Sequence, residues 1–277
     1  MNIPSNTSSF IPELWAADIQ KNRTNHLVML NLVNKQYESQ VLSKGDTVHI
    51  EAMDEFTTDV IDPAVGLTVK AATISETTLV IDQYVGFARA VQDMLKKQSA
   101  YDLRASFVER GGRALATAID SYLMSLGANF TTKRTAVANL SYDEFVDAMA
   151  VLDGRNIPQE DRALVINGAG LADLRKVAQF NFYGNAGETP LKKVPTNGLV
   201  GDIYGVPVYI TEAVATVTGA YQYLLFHKEA IAAAVQLKPE MEHDRDILKK
   251  ADIVSGSTLF GAKVVRPDHG VVIQRTV

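Results

Sequence analysis

Residues 86–127 constrain the fold of this chain more than any other stretch. Phe87, Val91 and Leu95 lie four apart, and Leu103, Phe107, Leu115, Ile119 and Leu123 continue that step on a second phase. Ala114, Ala118, Tyr122 and Leu126 widen the stripe into a face broad enough to pack on a sheet rather than on one partner helix. Charges such as Arg89, Asp93, Lys96, Lys97, Asp102, Arg104, Glu109, Arg110, Arg113 and Asp120 fall mostly elsewhere. The phase changes at Gln98-Ser99-Ala100, so the spacing predicts a short helix to about Lys97 and a long one from about Ala100. Gly111-Gly112 sits inside the longer piece at a cost of roughly 1 kcal/mol per glycine relative to alanine. Close packing or a bend should therefore compensate for it. Gly127, followed by Asn129, reads as a C-cap glycine.

A face of that breadth needs a body to lie on. The chain has 277 residues, enough for one large or two modest domains, and 47% hydrophobic with 21% charged residues is the composition of a globular protein with a core. The absence of cysteine excludes disulfides, thiolate catalysis, cysteine-zinc sites and iron–sulfur clusters. A net charge of −5 without a long basic run disfavours direct sequence reading of nucleic acid. The first nine residues lack the basic and apolar regions of a signal peptide, and no apolar run approaches the ~18–20 residues of a membrane span.

In chain order, a polar arm leads to Phe10-Ile11-Pro12, where Pro12 suits the first turn of a short helix with Leu14, Trp15 and Ile19 on its apolar side. Trp15 either anchors the arm on its own domain or docks on a neighbouring subunit. Val48, Ile50 and Ala52 then alternate with Thr47, His49 and Glu51; Leu67, Val69 and Ala71 repeat the period of a strand, as do Leu79, Ile81 and Val85. Residues 45–69 carry no Lys or Arg but include Asp46, Glu51, Asp54, Glu55, Asp59 and Asp62. A two-stranded excursion is only marginally stable alone and must lie on something. The bases Arg89, Lys96, Lys97, Arg104, Arg110 and Arg113 suggest a basic partner; alternatively the acids only solvate a long hairpin.

From Leu140 helix and strand alternate. Ser141-Tyr142-Asp143-Glu144 is a capping box, Ala163-Leu164-Val165-Ile166 a fully apolar strand, and Gly168-Ala169-Gly170 opens a helix. Strands are expected at Gly205 to Thr211 and Ala220 to Phe226. Beyond them, Glu240 to Asp246 reads as a solvated charged loop, and strands at Ile253 to Val265 and Val271 to Gln274 are natural partners for the long helix. Pro267-Asp268-His269-Gly270 joins them as a turn.

Chemistry finds little support. The glycines at 168 and 170 invite a dinucleotide reading, but the third small residue of that fingerprint is replaced by Asp173, so a plain helix start is the better account. His26, His49, His227, His243 and His269 lack metal-ligand spacing, and no nucleophile elbow, zinc-protease or phosphate-loop pattern occurs. No catalytic, cofactor or metal residues are assigned.

Four phrases in this order resemble the major capsid proteins of tailed phages with the HK97-type fold. Phe10-Ile11-Pro12-Glu13-Leu14-Trp15 is similar to the opening of their N-arms, and Lys44-Gly45-Asp46-Thr47-Val48-His49-Ile50 to the start of their E-loop. Asp153-Gly154-Arg155-Asn156-Ile157-Pro158 with Arg162-Ala163-Leu164-Val165-Ile166, and then Gly201-Asp202-Ile203-Tyr204-Gly205-Val206-Pro207-Val208-Tyr209, resemble steps of their A-domain.

The resemblance implies an α+β fold with an N-arm at residues 1–44, an E-loop at 45–85, a P-domain at 86–139 and 236–277 whose spine helix runs over about 86–127, and an A-domain at 140–235. It implies a structural protein rather than an enzyme, found in the virion and assembled in the host cytoplasm as hexamers and pentamers of itself. The subunit-interface candidates are Phe10, Trp15, Glu51, Asp54, Glu55, Asp59, Asp62, Lys70, Arg104, Arg110 and Arg113. Implied partners are a portal and DNA held without sequence specificity, with a decoration protein as an option and no membrane. Because the arm-like wording begins within ten residues of Met1, the expectation is a separate scaffolding protein. Lys70 is the one E-loop lysine, and no matched Asn and acid is identified for a covalent cross-link. An encapsulin-type compartment shell, or less favourably a soluble α/β enzyme, is the competing reading.

Overall fold

The computed structural model describes residues 28–41, 47–53, 58, 61, 71, 74–93, 103–176, 181–182 and 198–277. Phe10, Trp15, Asp54, Glu55, Asp59, Asp62 and Lys70 lie outside them, as do the N-arm helix and the strand expected around Val69. Two four-residue helices, α1 (Met29–Leu32) and α2 (Glu38–Val41), precede a hairpin of β1 (Thr47–Met53) and β2 (Ile74–Val80); β3 (Gln83–Gln92) follows. The long helix α3 (Leu103–Ser125) passes through a 3-10 turn, Leu126–Asn129, into β4 (Thr132–Lys133). Next come α4 (Tyr142–Gly154), β5 (Arg162–Ile166), α5 (Gly168–Leu174), β6 (Asn181–Phe182), β7 (Leu199–Ile203), β8 (Val206–Ile210), β9 (Thr216–Val217) and β10 (Ala220–His227). A long hairpin of β11 (Ile231–Asp246) and β12 (Ala251–Val264) leads to β13 (Gly270–Thr276).

These strands make two larger sheets. One has the order β4-β13-β10-β5-β8-β7-β6, with β9 paired to β10. Its central strand β5 is buried at every position, as an unbroken apolar run requires. Strand alternation divides its side chains between two cores. Leu164, Ile166, Leu225, Val271 and Ile273 meet Phe145, Leu152, Leu171 and Leu174 of α4 and α5. Val165, Leu224, Phe226 and Val272 meet Ile119, Leu123 and Met124 at the end of α3 and Leu126 of the 3-10 turn. The other sheet, β11-β12-β3, also packs on α3, through Ile231, Ala233, Val235, Phe260, Ala262 and Val264. The α3 helix is therefore shared by both sheets, and Tyr122 meets Phe260 edge to face at 5.5 Å.

Three expectations are corrected. Residues 83–92 form a strand, not a helix, pairing antiparallel with β12 so that Phe87 lies opposite Gly256. A step of four is also a multiple of two, so Phe87 and Val91 share one face of a strand as readily as one face of a helix. The spine helix consequently begins at Leu103 rather than about 86, with a 3-10 turn as its end. Gly127 does not cap it in a left-handed conformation; a Cβ there would meet Leu224 Cδ2 at 2.3 Å, so the glycine serves close packing. Glu240 to Asp246 belongs to β11 rather than to a loop. Its acids at 240, 242, 244 and 246 alternate with period two, the pattern of a strand that carries its acids on one face. β4 and β13 complete the larger sheet, and β11 starts at Ile231.

The compensation demanded by Gly111-Gly112 is visible. A Cβ on Gly111 would lie 1.8 Å from Phe87 Cζ, so the missing side chain lets α3 settle onto β3.

Candidate subunit interface

The β1–β2 hairpin runs Thr47 against Val80 through Met53 against Ile74. At its base Val48, Ile50, Leu79 and Ile81 are buried against Ala232 and Ala234, the face of β11 turned away from α3. Lys263 Nζ on β12 donates to the Thr78 carbonyl at 2.9 Å. The opposite face is exposed. There His49 pairs with the Glu76 carboxylate, and Glu51 stands directly across the ladder from Glu76. Two like charges facing each other across a ladder are unfavourable by a few tenths to ~1 kcal/mol, so the folded subunit alone does not account for them. Among the described residues none pairs with Glu51.

The chain reaches this hairpin along a fixed path. Asp120 of α3 accepts hydrogen bonds from the Val28 and Leu30 amides at 2.7 and 3.3 Å, and burial pushes its carboxyl above the ordinary range. Asn34 then exchanges backbone bonds with β11, its amide to Ile231 at 3.0 Å and its carbonyl from Ala233 at 2.9 Å. Val28 and Leu30 are thus fixed on the spine helix.

Of the arginines expected at the interface, Arg110 is exposed and Arg113 half-buried on α3; Arg104 lies in its first turn. The structure does not bring Glu51 against any of them within one subunit by a described ion pair. Sequence reasoning missed a second exposed feature, the tip of the β11–β12 hairpin. Asp246 Oδ1 accepts from the Leu248 and Lys249 amides at 3.0 and 3.1 Å, Lys250 adopts φ 48°, and Asp93 donates its amide to the Lys250 carbonyl at 2.9 Å. This ordered turn presents Ile247 and Leu248 to solvent, 69% and 96% exposed. Its signal was an aliphatic pair directly before two lysines, between two strands.

No enzyme-like centre stands out among the described residues. Among the described residues no three His, Asp or Glu side chains gather as metal ligands, and no helix is long and apolar enough to cross a membrane. The α5 start near Gly168 is already filled: Asn167 caps the Gly170 amide at 3.0 Å and Glu212 accepts from Gly168 at 3.1 Å. Asp173, where a pyrophosphate would approach, is buried and bound to Arg275 at 2.7 Å, a hydrogen bond that holds its carboxyl below the ordinary range against the cost of burial. A cleft of about 370 Å³ between α4 and the β7–β8 turn is lined by Tyr142, Phe145, Met149 and Tyr204, with the two phenol oxygens 2.5 Å apart.

No family profile and no curated protein sequence matches the chain. Solved structures do. One from Mycobacterium phage Che8 is 27% identical, with a TM-score of 0.75, over 96% of this chain and 97% of that one. The capsid structure of cyanophage P-SCSP1u aligns at 17% identity and a TM-score of 0.70, over 95% and 92% of the two chains. The capsid of Ralstonia phage GP4 aligns at 12% identity and a TM-score of 0.67, over 100% and 98%. The chain has the α+β, HK97-type fold of tailed-phage capsid proteins.

Proposed function

We propose that this chain is the major capsid subunit of a tailed bacteriophage, assembling with copies of itself into an icosahedral shell around double-stranded DNA. The observation that carries the reading is the agreement with phage capsid structures over nearly the whole length of both chains. Its role is structural and its place is the virion.

The finer assignments follow the same logic. Residues 1–44 act as an arm, 45–85 as an E-loop laid over the next subunit, 86–139 and 236–277 as the P-domain, and 140–235 as the A-domain around a capsomer axis, its sheet completed by β4 and β13. The face bearing Glu51 and Glu76, together with the acids Asp54, Glu55, Asp59 and Asp62 of the same stretch of sequence, straps onto a basic surface of a neighbour that includes Arg104, Arg110 and Arg113. Closed symmetry multiplies such modest contacts into a stable shell. The net charge of −5 suits a container that does not grip its polyanionic contents. A separate scaffolding protein, a portal and optionally a decoration protein complete the assembly in the host cytoplasm.

Expression with and without the neighbouring reading frames, followed by velocity sedimentation and negative-stain microscopy, tests the reading. Closed shells, or hexamers and pentamers that close when scaffold is added, are expected. A monomer or dimer under every condition overturns it, and shells loaded with an enzyme instead of DNA favour the compartment alternative. Trp15→Ala, or Asp54, Glu55 and Asp59 together changed to lysine, is expected to block assembly and leave the thermal midpoint of the subunit within about 2 °C, as for surface changes of under ~0.5 kcal/mol. Leu248→Asp should do the same, because burying an exposed leucine at a contact is worth ~1.5–3 kcal/mol per copy.

A further inference from the structure

The chain crosses between the two sheets twice at one place. The 3-10 turn Lys228–Ala230 carries it from β10 to β11, and the 3-10 turn Pro267–His269 carries it back from β12 to β13. The two crossings are tied together, since the Ala230 carbonyl accepts from the Val265 and Arg266 amides at 2.9 and 3.2 Å. A histidine sits on each. His227 ends β10, His269 precedes β13, and their rings meet with centroids 6.1 Å apart at 64°.

Both rings are held as hydrogen-bond acceptors. His227 Nδ1 accepts from the Glu229 amide at 3.3 Å and so caps its turn. His269 Nε2 faces Arg266 Nη1 at 3.5 Å, and a guanidinium can only donate. The His269 proton therefore resides on Nδ1, which is buried and has no partner among the described residues. The surrounding charges are of both signs. Glu229 pairs with Arg266 at 2.8 Å; Arg155 donates to the Asp268 carbonyl at 2.6 Å and lies 3.7 Å from its carboxylate. Lys228 donates its amide to the Asp161 carbonyl at 3.1 Å, and the Arg162 guanidinium acts on His227 from β5.

We propose that His227 and His269 make this double crossover an acid-sensitive joint: the neutral pair locks the two sheets together, and protonation of the pair frees them to reorient. A proton on His227 Nδ1 turns the cap acceptor into a donor aimed at the Glu229 amide. A proton on His269 Nε2 sets an imidazolium against Arg266, and the two charged rings face each other. Burial holds both histidines below their ordinary value, with Arg266 adding to the effect at His269, although Glu229, Asp161 and Asp268 pull the other way. The folded chain thus prefers the neutral rings. Their stabilisation is complete above about pH 6.5 and is lost as pH falls below it through the lower folded-state values. In a shell, on the capsid reading, the angle between the two sheets would then respond to acid.

The test uses unassembled full-length subunit, so that its failure is separate from any failure to form shells. His227→Asn keeps a cap acceptor and His269→Gln an acceptor toward Arg266, neither of which titrates near neutrality. Wild type and double variant are expected to melt alike at pH 8, and wild type alone to lose about 3–6 °C more by pH 5.5. Because the chain has no cysteine, spin labels at Ala150→Cys on α4 and Glu242→Cys on β11 read the sheet-to-sheet distance directly. That distance distribution should broaden or shift below about pH 6 in wild type only. Parallel melting profiles, or an acid change in distance that survives the double variant, overturn the proposal. If the variant fails to fold, the Cε1 proton resonances of the wild-type rings decide; titration of both at or above about 6.5 overturns it equally.

Discussion

Replacing Gly261 by valine is expected to lift the β1–β2 hairpin off the sheet beneath it and to abolish shell formation. A Cβ at this position of β12 would lie 2.2 Å from the Val80 carbonyl oxygen and 2.8 Å from Ile81 Cα. Both are backbone atoms, so no side-chain rotation relieves the clash and the whole strand must move. With it go the buried positions of Val48, Ile50, Leu79 and Ile81, each worth roughly 1.5–3 kcal/mol when fully covered. The two cores around α3 and α4 contain none of these residues, so the rest of the subunit should stay folded. Limited proteolysis within residues 47–80 should accelerate at least tenfold, a change in opening free energy of about 1.4 kcal/mol or more, while circular dichroism keeps the helical signal. Gly261→Ala should fall between the two. A valine variant that resists protease and assembles normally would show that hairpin position does not depend on this contact.

How much of this could be read beforehand depended on whether the cause was local. The run Ala163-Leu164-Val165-Ile166 is a central strand because only a strand covered on both faces keeps four apolar residues in succession. Ser141 caps α4 at 3.3 Å through the Glu144 amide, as its spacing requires, although Glu144 itself turns to Arg134 rather than closing the box. Tyr204-Gly205 forms the two-residue turn between β7 and β8 with φ 49° and 79°, which explains the glycine in that phrase of the chain. By contrast β3 is stabilised by its pairing with β12, some 170 residues on, and nothing local separates it from a helix of the same period. Gly111 reads as a defect in the sequence because the ring that fills its place, Phe87, belongs to another element. The candidate interface was least legible, because its partners lie on other copies of the chain: Glu51 and Leu248 are notable only as exposed residues that the single subunit leaves without a use.

Removing the guanidinium of Arg162 is expected to destabilise the subunit by about 3–5 kcal/mol, because two carbonyls lose their charged donor at ~1–3 kcal/mol each and the buried space of the side chain is left unfilled. The side chain is fully buried at the start of β5. Its Nε donates to the Pro158 carbonyl at 2.8 Å, Nη2 to the Ile157 carbonyl at 2.5 Å, and Nη1 reaches the Asp153 carboxylate at 2.7 Å. One planar fork thus holds the whole turn from the end of α4 to β5, where Asn156 and Asp161 both adopt positive φ. This gives a physical reason for the pairing of Asp153 to Pro158 with Arg162 in the capsid-like wording: the two halves of that phrase are one hydrogen-bonded unit. Arg162→Ala leaves two carbonyls and a carboxylate without their donor, and Arg162→Lys keeps the charge but cannot reproduce the fork. The midpoint should fall by roughly 10 °C for alanine and by a smaller but clear amount for lysine, measured at pH 7.5 on the unassembled subunit. Asp153→Asn is the informative control. Its carboxylate side is partly open to solvent, so losing that charge should cost about 1 kcal/mol and leave both carbonyl contacts in place. If Asp153→Asn proves as damaging as Arg162→Ala, the charge pair rather than the carbonyl fork holds the turn.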